Sequence, residues 1–266
     1  MDAGTLLQAL AIMTAGFGAG FINVIVGSGT LITFPILLMF GFPALTANMS
    51  NSIGLVTGNL SGVWGYRREI AAQKKLALKL LPASIVGGAT GALLLLVLPS
   101  SVFDLAVPLL ILLGIIMVAI TPWVQRRTAE KLGTSHPHPA LSSTPIAVKR
   151  PILTWIVVFL LGVYGGYFGA AQGVLMVGAL GMMLAITLQT LNALKNFLCS
   201  AVNLLAAFIF ISCASELIDW TVVIIIAVGS TLGGLVGAKV GRKLPAPVLR
   251  VVIITVGTIA LINMLV

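Results

Sequence analysis

Apolar residues gather into ten runs along the chain, roughly 5–26, 31–41, 48–66, 76–98, 102–122, 152–169, 174–187, 192–213, 220–240 and 248–265. Most reach the ~20 residues that a helix needs to cross ~30 Å of hydrocarbon. Two fall short, 31–41 and 174–187, and each follows a small-residue break, Gly27-Ser28-Gly29-Thr30 and Gly169–Gly173. Amides and hydroxyls then cluster at Asn48, Ser50, Asn51 and Ser52, inside a run that is otherwise apolar. Broken helices with polar groups beside the break are how a membrane protein builds a site for a small solute. The pattern predicts an all-α polytopic membrane protein whose short segments are half-helices or re-entrant.

The arrangement occurs twice. At an offset of 146, Gly87-Gly88-Ala89-Thr90-Gly91-Ala92 matches Gly233-Gly234-Leu235-Val236-Gly237-Ala238, and Leu98-Pro99 matches Leu244-Pro245. At 145, Asn51 falls on Asn196 and Ser50 on Lys195; at 144, Gly29 falls on Gly173 and Ser28 on Gln172. Residues 1–122 and 151–266 therefore read as two repeats of about five helical segments each, joined by a Pro-, Ser- and His-rich linker, 123–150.

Charge orients the halves. Charged residues make up only 8% of the 266, and the net charge of +9 is spread over short loops, which suits positive-inside bias and argues against a nucleic-acid partner. The loop RREIAAQKK at 67–75 is basic, while its counterpart SCASELID at 212–219 is acidic. Equivalent loops then face opposite sides of the membrane, the mark of an inverted-topology repeat. An odd number of crossings per half is required. Five helical segments satisfy it, as do three crossings plus a re-entrant hairpin. Both termini are expected outside and the linker, with Arg126, Arg127, Lys131, Lys149 and Arg150, in the cytoplasm.

The breaks also suggest chemistry. The first N–H groups of a new helix have no intrahelical partner, carry partial positive charge and suit an anion. Thr30, Leu31 and Ile32 are candidate donors in the first half, with the Ser28 and Thr30 hydroxyls beside them; Gly173, Val174 and the Gln172 amide are candidates in the second. Asn192, Lys195 and Asn196 share one helical sector. Lys195 is the one base away from loops and helix ends, and a cation within a span is a functional hypothesis by default. Its counter-reading is a side chain one turn into its segment that snorkels to the surface. Gly27, Ser28, Gly29, Thr30, Asn48, Ser50, Asn51, Gln172, Gly173, Asn192, Lys195 and Asn196 are thus the candidate substrate-binding residues. No span carries a deep carboxylate, no P-loop is present, and Gly27-Ser28-Gly29 has no intramembrane His to act as a base, so an enzyme is not expected. No Cys/His/Asp cluster has metal spacing, and no cofactor is expected.

GFINVIVGSGTLITFPILLMFGFPALTANMSNS in the first half and GGYFGAAQGVLMVGALGMMLAITLQTLNALKNF in the second resemble the sulfite exporter TauE/SafE family, also called toluene sulfonate uptake permeases. The resemblance covers nearly the whole chain outside the linker. It implies a secondary transporter of the bacterial inner membrane that exports small sulfur-containing anions such as sulfite, sulfoacetate and related sulfonates, driven by an ion gradient such as H+. Departures lie at Gly27-Ser28-Gly29-Thr30, less glycine-rich than in many members, and at Ala170-Ala171-Gln172. Alternatives from the residues alone are a transporter of another cargo and a membrane sensor or assembly protein that binds an anion without moving it.

Overall fold

The computed structural model describes residues 3–131, 150–184, 186–240 and 246–265. Each of the ten apolar runs forms a helix: α1 (Ala3–Ile25), α2 (Thr30–Met39), α3 (Ala44–Gly65), α5 (Lys74–Val97), α6 (Ser100–Lys131), α7 (Pro151–Tyr167), α8 (Gln172–Met183), α9 (Leu188–Cys213), α10 (Trp220–Val240) and α11 (Ala246–Leu265). A short α4 (Arg67–Ala72) lies in the basic loop, and a single 3-10 turn, Ser215–Leu217, in its acidic counterpart. Helix α6 continues to Lys131, into the stretch read as linker, while 132–149 lie outside the described residues. Cys199 and Cys213 fall on one helix, α9, and both are free.

Among the described residues five helices, α1, α5, α6, α9 and α10, are long and apolar enough to cross a membrane. Leu105, Val97 and Ile152, at 83%, 79% and 77% exposure, mark the surface that such a protein turns to lipid. Helix α3 differs. It has 22 residues, but Asn48, Ser50, Asn51, Asn59 and Ser61 are all buried in it. Amides in hydrocarbon are costly unless partnered, which puts α3 inside the bundle, against α1, α9 and α10.

Small residues let the spans approach closely, and the approaches come in matching pairs. A Cβ on Gly87 would sit 2.2 Å from the Phe159 carbonyl oxygen, and one on Gly233 1.9 Å from that of Phe17. Ser84 Oγ donates to the Leu198 carbonyl (3.2 Å) and Ser230 Oγ to the Gly54 carbonyl (2.9 Å). At the breaks, the amides of Val26 and Gly27 both donate to Ile22 O, and those of Phe168 and Gly169 both donate to Tyr164 O. The pairs fix the correspondence at 142 residues for the breaks, 144 for α3 with α9 and 146 for α5 with α10. Two residues enter at each connection. Gly27 thus corresponds to Gly169, and Asn51 to Lys195, where sequence offsets alone paired Asn51 with Asn196 and Gly29 with Gly173.

The same contacts give direction. Gly16 and Gly20 of α1 meet Ile226 and Ser230 of α10 in ascending order, as do Gly54 and Gly58 of α3, so these three helices run parallel. Gly87 and Gly91 of α5 meet Phe159 and Val163 of α7, and Ser84 and Gly88 meet Leu198 and Val202 of α9, so these three also run parallel. The 22 residues of α3 span about 33 Å at 1.5 Å per residue, more than the eight-residue connection to α5 can retrace at about 3.5 Å per residue. The two groups, α1, α3 and α10 on one hand and α5, α7 and α9 on the other, are antiparallel.

This packing makes a direct prediction. Gly233→Ala places a methyl into the Phe17 carbonyl and is expected to lower the thermal midpoint in detergent by several degrees, an overpacking cost of ~1–3 kcal/mol. Gly18→Ala on the same helix pair meets nothing within 4 Å and should leave the midpoint unchanged or raise it, since Ala is the better helix former by ~0.5–1 kcal/mol.

Candidate functional site

The site begins where α1 stops. Gly27, at φ +90°, closes the last turn in a conformation that favours glycine, and Gly169 does the same for α7 at φ +76°. With Val26 and Gly27 both bonded to Ile22 O, the carbonyls of Asn23 and Val24 are left at the partly negative end of a helix. Lys195 supplies the cation: its Nζ donates to Asn23 O at 2.9 Å and to Val24 O at 3.0 Å. The Asn196 amide adds a third bond, to Val24 O at 3.2 Å. Lys195 is 1% exposed, so it does not snorkel. Among the described residues it is the only buried base.

Two glycines make room for it. The Gly173 amide donates to Gly27 O at 3.0 Å, which joins the second break to the first. A Cβ on Gly27 would fall 2.5 Å from Gly173 Cα and 3.1 Å from Lys195 Cδ; one on Gly173 would fall 2.5 Å from Gly27 Cα and 2.9 Å from Lys195 Cδ. The lysine stem therefore runs past a backbone contact that only glycine permits. The crossing lies well inside the bundle. Asn196 is the ninth residue of α9, about 12 Å along it, and Asn51, which reaches α2, is the eighth residue of α3, about 10 Å along it.

Around the lysine lies a set of amides that are not all satisfied. Gly29 N donates to Asn23 Oδ1 (3.3 Å), and Asn23 Nδ2 donates to Asn59 Oδ1 in a short hydrogen bond. The Asn59 Nδ2 group and the Ser28 hydroxyl are buried with no partner. A second cluster joins α2 to α3: Thr33 Oγ1 donates to Asn51 Oδ1, and Asn51 Nδ2 approaches Thr30 Oγ1 at 3.5 Å. At the end of α7, Asn48 Nδ2 donates to Tyr167 O (3.0 Å), and Asn48 Oδ1 is left unpartnered.

Of the residues singled out from sequence, Gly27, Ser28, Gly29, Gly173, Lys195 and Asn196 meet at the end of α1, and Thr30 and Asn51 meet beside it. Others are engaged elsewhere. Ser50 Oγ accepts from Asp219 N at 2.9 Å and ties α3 to the turn before α10. Gln172 Nε2 turns back to Leu161 O at 3.1 Å, its amide filling the space over Gly165. Asn192 is half-buried. The expected backbone donors are largely committed: Leu31 N goes to Ser28 O, Ile32 N to Gly29 O and Gly173 N to Gly27 O. The donors left free beside the break are therefore side chains more than helix-start amides. Asn23 went unremarked in the sequence. Its signal was an amide within a pure apolar run, four residues before the first glycine of the break.

Comparison with known proteins identifies the chain's relatives. The model of the family described as "Sulfite exporter TauE/SafE" matches residues 12–264. A Haemophilus influenzae protein named "Probable membrane transporter protein" is 30% identical over 239 residues, 90% of this chain and 87% of its own. "Probable membrane transporter protein ORF9" of a Sinorhizobium species is 27% identical, over 96% of this chain and 91% of its own. "Probable membrane transporter protein YfcA" of Escherichia coli K12 is 25% identical, over 88% and 82%. No solved structure matches the chain.

Proposed function

Because the chain belongs to the sulfite exporter TauE/SafE family and is a multi-pass membrane transporter rather than an enzyme, we propose that it is a secondary transporter that exports small sulfur-containing oxyanions such as sulfite or an organosulfonate. The observation that carries this reading is the pairing of a buried ammonium with unused donors. Lys195 spends two bonds on Asn23 and Val24 and has a third N–H to give, while Ser28 Oγ and Asn59 Nδ2 are buried without partners. Buried donors without acceptors are costly, and an oxyanion seated among them would satisfy all three. Charge-assisted bonds to its oxygens are about twice as strong as neutral ones.

The antiparallel sense of corresponding helices supports an inverted repeat, with the Gly27–Gly173 contact near its pseudo-twofold axis. Rocking of one half against the other about that contact would expose the site to each side in turn. Asn51 and Lys195 occupy corresponding positions, so the site takes its charge from one half alone. Among the described residues no carboxylate lies at the crossing, so a coupling proton would need the substrate itself as its carrier; sulfite, whose protonated and deprotonated forms coexist near neutral pH, can serve as one.

Ser28→Ala tests the site with little structural cost. Its hydroxyl makes no bond, so stability should stay within the ~0.5 kcal/mol of a neutral change and the thermal midpoint should barely move. Sulfite affinity, read by the thermal shift it induces in purified protein, should fall about tenfold, since a hydrogen bond to a charged group contributes ~1.5–3 kcal/mol. Neutral solutes should give no shift in either protein. An unchanged sulfite affinity in Ser28→Ala places the anion elsewhere.

A further inference from the structure

On the outer surface of the bundle, away from the broken helices, α3, α5 and α9 leave a groove of about 540 Å³. That lies within the ~300–1,000 Å³ of small-ligand pockets. Leu60 of α3, Leu81 and Ile85 of α5, and Ala201, Leu204 and Phe208 of α9 line it. Leu60, Leu204 and Phe208 are 45%, 51% and 66% exposed, so the groove opens sideways, toward lipid. It joins the two halves, with two walls from the first and one from the second.

The groove leads to basic charge at one end only. Lys74, Leu78, Leu81 and Ile85 follow one another on α5 at spacings of four, three and four, which puts them on one stripe. Lys74 and Leu78 are exposed, and Lys74 stands about 16 Å up the helix from Ile85. The turn that joins the α3 and α5 walls adds exposed Arg67, Arg68 and Lys75. Its one acidic residue, Glu69, is buried and accepts a 2.6 Å bond from Gln189 Nε2. The corresponding turn of the second half, between α9 and α10, carries Glu216 and Asp219 and no base. The stripe is therefore apolar for about 10 Å along α5 and strongly basic at its head on one leaflet alone.

We infer that this groove is a binding site for one anionic glycerophospholipid of the leaflet that the basic turn faces. An acyl chain would lie along Leu78, Leu81, Ile85 and Phe208, and the phosphate would meet Lys74 and its neighbours, each base near a charged headgroup plane contributing to selectivity for anionic over zwitterionic lipid. A lipid seated across α3, α5 and α9 would hold together two elements of one half and one of the other.

The experiment is native mass spectrometry of the full chain released from nanodiscs of equal phosphatidylglycerol and phosphatidylcholine with identical chains, alongside thermal unfolding in detergent with each lipid added. The wild type is expected to retain phosphatidylglycerol at least threefold over phosphatidylcholine and to gain a larger midpoint shift from it. Lys74→Gln with Lys75→Gln, both exposed, should abolish the preference while leaving the midpoint without added lipid unchanged. Ala201→Trp, which fills the groove, should lose retained lipid of both kinds. Equal retention of both lipids by the wild type overturns the inference, as does a preference that survives the double glutamine variant or lipid retention that survives Ala201→Trp.

Discussion

Lys195→Met is expected to reduce anion transport per folded molecule by at least about 100-fold. The methionine keeps the stem between Gly27 and Gly173 but removes the ammonium from the Asn23 and Val24 carbonyls. Two effects follow. Each buried carbonyl that loses its donor costs ~1–3 kcal/mol, with Asn196 still serving Val24, so the thermal midpoint falls. The larger effect is on the substrate. An anion brought to a site without a counter-charge keeps its desolvation penalty uncompensated, and breaking a buried pair in that sense costs ~3–5 kcal/mol, about two to three and a half decades in affinity. A lysine that served only to cap α1 would give the first effect without the second. Uptake normalised to the folded fraction therefore separates the two roles.

Gly173→Ala is expected to be strongly disruptive, because its methyl would fall where the two breaks meet. The new carbon would lie 2.5 Å from Gly27 Cα, 2.9 Å from Gly27 O and 2.9 Å from Lys195 Cδ, all at once. Two of the three neighbours are backbone and cannot rotate away. The halves would have to separate, and the bond from Gly173 N to Gly27 O would be lost with the lysine's path. An overpacking cost of ~1–3 kcal/mol is the floor. Gly27→Ala adds the left-handed backbone at φ +90°, a further ~1–2 kcal/mol for a residue with a Cβ. Size-exclusion profiles and transport should show Gly173→Ala impaired and Gly27→Ala worse, with Gly18→Ala like the wild type.

Much of this was legible in the sequence because hydrocarbon is a strict solvent. Apolar runs of span length can only be helices there, so ten runs became ten helices. The two short ones became α2 and α8, each starting within a residue or two of its glycine break. Glycine pairs at fixed spacing made the case for an internal repeat readable too. Its register was not, because the connections around the breaks absorb two residues at a time, and only contacts such as Ser84 with Leu198 and Ser230 with Gly54 fix which residue answers which. Lys195 was identified as special by its place in a span, but not by its partner. Nothing in the sequence says that an ammonium will choose the end of α1 over the start of α2 or α8. The same limit applies to Ser50 and Gln172, whose polar groups serve turns and neighbouring helices, and to Asn23, which is visible only as one amide among apolar neighbours.

This chain is expected to move a sulfur oxyanion through a site built on the end of α1. The measurement that tests it most directly is flux into or out of liposomes reconstituted with the purified full chain, for sulfite, sulfoacetate, sulfate and thiosulfate, with and without a pH gradient, in the wild type and Lys195→Met. Saturable sulfite or sulfonate flux above that of empty liposomes is expected, accelerated by the pH gradient and lost in Lys195→Met. Sulfite binding without flux in the wild type, the behaviour of a sensor, would contradict it, and so would flux that Lys195→Met leaves intact.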